Sequence, residues 1–229
     1  FLAFTFAAWF AATTHRPALY NLLNFYLAHP VIAVVGSLLL LYTPPLLDIL
    51  PMYVLFLLAT PSILFSALRV GWKWILLASF AVWAGAQLGL REVAHSGIVA
   101  ITHLQIPLQE GGAFNLFAWQ WIWVTGLWMG ARSAEGNNPL ARMPRWAIAV
   151  AGVVCVFFIG VRHDWLGSYL TQQNLGTHLD KWQIGPLRMV NLFALAIVLN
   201  WSRKYILRAV AIEPFLTLGK ASLEVFCAH

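Results

Sequence analysis

Five stretches of the chain, 46–68, 72–90, 114–132, 145–162 and 184–203, are nearly unbroken apolar runs. A bilayer core about 30 Å thick needs roughly 17–25 such residues per helix, so each run predicts a membrane-crossing helix. Two further runs, 1–12 and 215–229, read as helices cut by the ends of the sequence. The stretch PVIAVVGSLLLLYT, 30–43, is too short to span comfortably and reads as an interfacial or re-entrant segment, or a tilted short span. The expected fold class is all-α, a polytopic transmembrane helical bundle, with 1–229 forming a single transmembrane domain. Opening on Phe1 and closing on His229, both inside apolar runs, the sequence reads as a fragment truncated at both ends.

Composition agrees. Hydrophobic residues make up 61% of the chain and charged ones 10%, against about 25% charged in a soluble domain. Cys155 and Cys227 are isolated in apolar runs; no zinc or other metal site and no disulfide framework is expected from them.

The formal charge of +6 sorts by loop. One set of connections holds eight basic residues, Arg69, Lys73, Arg132, Arg142, Arg145, Arg203, Lys204 and Arg208. The alternate set holds four, Arg16, Arg91, Arg162 and Lys181. Basic residues favour cytoplasmic loops, which puts the first set inside and the second outside. The excess is a topology signal, and no nucleic-acid partner is expected. Six of the seven histidines fall in the outer, longer loops. Trp72, Trp74, Trp146, Trp165 and Trp182 lie near span ends, as an interfacial belt requires.

Charges inside a span cost about 3 kcal/mol or more and so turn to a protein interior or a wet cavity. Thr43-Pro44 resembles a helix start, with Asp48 just inside it and Pro51 freeing the carbonyl of Leu47. Asp48 either lines a pocket for hydroxyl-rich ligands or stabilises the helix N-terminus. In LDKWQIGPLRMVN, 179–191, Asp180 and Lys181 precede a helix with Pro186 in its first turn. Gly185, Arg188 and Asn191 share one face of that helix by their spacing. Gln120 sits among Trp119, Trp121 and Trp123, the amide-plus-aromatic mix of a sugar site, though span tryptophans also pack. Lys220 and Glu224, four apart, suit a structural ion pair, and His229 ends the sequence. Gly-rich phosphate loops, His-Glu-x-x-His and Gly-x-Ser-x-Gly motifs are absent. The residues alone therefore leave a polar cavity opening outward, in an enzyme or in a transporter.

Four blocks go further: LLDILPMYVLFLL at 46–58, FNLFAWQWIWVTGLWMG at 114–130, LDKWQIGPLRMVNLFALA at 179–196 and LGKASLEVFCAH at 218–229. Together and in this order they resemble the OpgC family, membrane proteins that succinylate osmoregulated periplasmic glucans, related to the polytopic membrane acyltransferases of sugar hydroxyls. Leu116 stands where proline is expected after asparagine, and Lys220 where arginine is common. The resemblance implies about ten helices with both ends cytoplasmic, in the bacterial inner membrane, with a cavity open to the periplasm. It implies transfer from succinyl-CoA or another acyl-CoA to a glucan hydroxyl, with no tightly bound cofactor. The family's catalytic histidine belongs to a first helix with no counterpart here, so the base is expected upstream of Phe1. Arg188 or Lys181 would orient the acyl carboxylate or stabilise developing charge; Asp48, Gln120 and Asn191 would hold sugar hydroxyls; Trp119 would stack on a ring; Asp180 completes the substrate-binding set. An O-acetyltransferase of another polysaccharide, or a flippase of a sugar-lipid, are the alternatives.

Overall fold

The computed structural model describes Trp9, Thr13, 24–39, 41–43, 49–137, 139–140, 143–163, 165, 167, 175–176, 178–210 and Thr217. Among these residues all regular structure is helical and there is no strand. In chain order the helices are α1 (Asn24–Ala28), α2 (Pro30–Leu38), α3 (Ile49–Val70), α4 (Trp72–Gln87), α5 (Leu90–Thr102), α6 (Leu116–Ala134), α7 (Arg145–Arg162) and α8 (Pro186–Val210). A 3-10 turn, Leu108–Gly111, lies between α5 and α6.

The five long apolar runs become helices nearly in place, and the terminal runs 1–12 and 215–229 lie, apart from Trp9 and Thr217, outside the described residues. Of the described helices, α3, with 22 residues, and α7, with 18, are long and apolar enough to cross a membrane. The pair α4 and α5 meets the same test only together, bent by 85°, as a broken span or a re-entrant loop. In α6 the tryptophans and Gln120 dilute the apolar signal. Arg188, Asn191, Asn200 and Arg203 do so in α8. The exposed surface is that of a membrane protein. Along α3 only Met52, Phe56 and Ala67 are buried, whereas Leu57 and Leu58 are exposed and Leu68 is 85% exposed. Leucine facing lipid loses nothing, because the tails are as apolar as the side chain. Pro61 interrupts the α3 ladder, and the neighbouring Thr60 hydroxyl donates to the Phe56 carbonyl at 2.7 Å.

One element departs from the sequence reading. Residues 91–113 are expected to form an outer loop, yet α5 occupies Leu90–Thr102. The bend that launches it falls at Leu88–Gly89, where Gly89 takes φ +93°, a conformation that glycine alone adopts at little cost. On α5 Arg91, Ala94 and His95 are half-buried, and Val93 and Ile101 are exposed. The inward side thus pairs Arg91 and His95 with Ala94, while Glu92 and Ser96 lie outward with Val93.

The short 30–43 stretch forms α2, nine residues long, which at 1.5 Å per residue covers less than half of a ~30 Å core. Its chain then folds back: the amides of Leu41 and Tyr42 donate to the Gly36 carbonyl at 2.8 and 3.1 Å. Tyr26, Ala33, Tyr42 and Ile106 close a small core there. Gly36 makes the approach possible, since a Cβ at that position would stand 2.7 Å from Ile106 Cδ1 and 3.0 Å from Tyr42 Cβ.

The chain divides into two compact units, Phe1–Ala131 with Asp180–Ile184, and Arg132–Leu179 with Gly185–His229. In the first, α3 packs on α4; in the second, α7 packs on α8.

Candidate functional site

The segment Asp180–Ile184 belongs to the first unit and is held there by its carbonyls. Asp180 opens it with an Asx turn, its Oδ1 accepting the Trp182 amide at 2.9 Å. The Trp182 carbonyl then accepts the Asn115 amide at 3.0 Å and Trp119 Nε1 at 3.2 Å. The Gln183 carbonyl accepts Gln87 Nε2 at 2.8 Å, and the Ile184 carbonyl accepts Trp83 Nε1 at 3.1 Å. Ile184 is buried at φ +46°, a left-handed conformation costing a β-branched residue about 1–3 kcal/mol. Three successive anchored carbonyls hold it in place. Above this strap, Lys181 Nζ lies 4.1 Å from the centre of the Trp182 ring. Trp182 meets Phe114 edge-on, and Phe114 meets Trp119 edge-on, each at 5.0 Å. The structure thus brings together Asp180, Lys181 and Trp119: a carboxylate, an ammonium and an aromatic ladder.

Asn115 has no place in the expected site, yet it organises this one. It is 1% exposed, caps α6 through Oδ1 accepting the Phe117 amide at 3.1 Å, and pins the strap. An asparagine immediately before an apolar run is the sequence signal that marks it.

Gln120 lies in the same unit with a different commitment. Both Nε2 hydrogens are used, on the carbonyls of Ser79 at 2.7 Å and Phe117 at 3.1 Å. Its Oε1 accepts the Ser79 hydroxyl at 2.5 Å. The amide clamps α6 to α4 and keeps one carbonyl lone pair for anything else. One turn away, Trp119, Trp123, Tyr53 and Phe56 line an apolar groove of about 370 Å³. Trp123 Nε1 donates to the Thr60 hydroxyl there at 3.1 Å.

In the second unit Arg188 and Asn191, one helical turn apart, line a cavity of about 260 Å³ with Arg162. Arg162 counts only towards topology in the sequence; the C-terminal end of α7 against the start of α8 makes it a wall of this pocket. Arg188 Nη1 donates to the Leu179 carbonyl at 3.3 Å. Among the described residues the one ion pair is Arg132–Glu135, at 2.9 Å, so both cavity guanidiniums keep their charge for an anionic or hydroxyl-rich group. Asp48 lies outside the described residues, as do Lys220, Glu224 and His229.

A family model described as OpgC protein matches residues 1–229. No curated protein and no solved structure matches the chain.

Proposed function

Because the chain belongs to the OpgC family, whose membership implies a membrane acyltransferase of glucans, we propose that it transfers a succinyl group from succinyl-CoA to hydroxyls of a periplasmic glucan. The match of the family model along 1–229 carries this reading. The uneven division of basic residues between the two sets of connections, eight against four in the sequence, supports a multi-pass inner-membrane protein.

A sugar hydroxyl needs a base as attack begins, and the oxyanion that forms on the thioester carbonyl oxygen needs donors or positive charge. Arg188, in the company of Arg162 and Asn191, supplies that charge. Within the first unit, Trp119 and Trp182 offer faces on which a glucan ring stacks, with Asp180 and Lys181 for its hydroxyls. Acyl-CoA enters as a co-substrate; no resident cofactor is needed.

In the intact protein in its own membrane, Arg188→Ala should cut glucan succinylation at least about a hundredfold, the scale of losing one donor to a developing oxyanion, while membrane insertion is unchanged. Mass spectrometry of extracted glucans reads both the degree and the identity of acylation. Normal succinylation in the variant removes Arg188 from the reaction. A deletion strain whose glucans keep their acyl groups but stay in the cytoplasm would favour the flippase.

A further inference from the structure

A third cavity, of about 250 Å³, lies within the first unit where α5 faces α3 and the 108–117 segment. Pro51, Met52, Leu55, Ile98 and Phe117 give it apolar walls, and Thr43, Arg91 and His95 give it polar groups. Arg91 spends only Nη2, on the carbonyls of Leu108 and Gly112. Among the described residues no bond is made by its Nη1 and Nε hydrogens, and no carboxylate lies within ion-pair distance. His95 Nε2 meets the Ile106 carbonyl at 2.9 Å. A carbonyl can only accept, so Nε2 carries the proton and Nδ1 is left open. Thr43 is 5% exposed, and among the described residues its hydroxyl has no hydrogen-bond partner.

Each of these is costly without an occupant. A buried hydroxyl left unmade costs free energy that a valine of the same shape would not. The half-buried Arg91 guanidinium feels the Glu92 carboxylate only at a distance, so an anion accepting its hydrogens directly would offset more of its desolvation. Both costs are met by one group, an anion that accepts from Arg91 and Thr43 while its methylenes rest on the apolar walls. We infer that this cavity binds a short aliphatic carboxylate, through the free Arg91 hydrogens and the Thr43 hydroxyl. His95 then stands beside the chain as a positioning residue.

The test uses the purified full-length protein in detergent, with succinate as probe and its neutral diamide, succinamide, as control, read by calorimetry. Succinate should bind and succinamide should not. Thr43→Val should weaken succinate binding about tenfold or more while leaving the thermal midpoint unchanged or raised, because it removes only an unpartnered hydroxyl. Arg91→Lys, which keeps the charge but loses the fork, should weaken it as well. Equal binding of succinamide, or wild-type binding in Thr43→Val and Arg91→Lys, overturns the site. The outcome stands apart from the functional reading: glucans unaltered by gene deletion would remove the acyltransferase and leave a carboxylate site.

Discussion

Tyr42 is 1% exposed, and among the described residues its hydroxyl has no partner. Burial pushes the phenol up to about 12, with Glu110 and Tyr26 adding to the shift. The folded state therefore resists ionisation more than an unfolded chain, whose tyrosines titrate near 10. Below pH 10 both states are neutral and the full stability is present; it falls as pH climbs through about 12. Tyr42→Phe deletes the hydroxyl without leaving an orphan. Its melting point at pH 8 should be unchanged or raised, by up to about 1 kcal/mol, and its loss of stability above pH 10 should be smaller than in the wild type. Thermal unfolding in detergent at both pH values checks this, and a variant less stable at pH 8 would mean the hydroxyl is bonded after all. Gln120 carries the complementary lesson. Its polarity inside a run announces a partner, but only the neighbouring helix reveals that the partner is Ser79.

Among elements, α3 and α7 are legible because a span needs little beyond apolar length, and Pro186 marks the start of α8 as expected. The helix α5 is illegible by that criterion, since Arg91, Glu92, His95 and Ser96 dilute it to the polarity of a loop. What it retains is period. Leu90, Ala94, Ile98 and Ile101 recur at helical spacing, and the inward polar pair Arg91 and His95 is four apart. The α2 fold-back depends on a smaller signal, the missing side chain of Gly36. Gly36→Ala should destabilise the protein by about 1–3 kcal/mol, the usual cost of overpacking, since the new methyl would meet Ile106 and the Cβ of Tyr42. A melting point equal to the wild type would show that the 103–112 segment gives way freely.

At the scale of the whole chain, the residues flagged as one site divide: Trp119, Gln120, Asp180 and Lys181 fall in the first unit, Arg188 and Asn191 in the second. Sequence proximity joins Lys181 to Arg188 on paper, because chain order does not say which carbonyls a segment turns towards which helix. The decisive donors, Trp83, Gln87 and Asn115, lie 67 to 101 positions away from the strap residues they hold, as the spacings 96 and 101 of the two side-chain bonds from α4 indicate. The strap is thus an inserted segment, its neighbours Leu179 and Gly185 both counted with the second unit. Its exposed Lys181 offers a direct measure of how firmly it is held. Trp83→Phe with Gln87→Met removes two donors while keeping the apolar volume, and each bond is worth about 1 kcal/mol, a factor of about five. Local opening of the strap should rise by roughly tenfold or more, and trypsin cleavage after Lys181 should quicken in proportion under conditions where opening precedes cleavage. Cleavage after Arg132 serves as the internal reference. If both sites speed up together, the substitutions loosen the fold generally; if neither changes, the strap is held by its Ile184 and Trp182 packing and its carbonyl bonds are incidental.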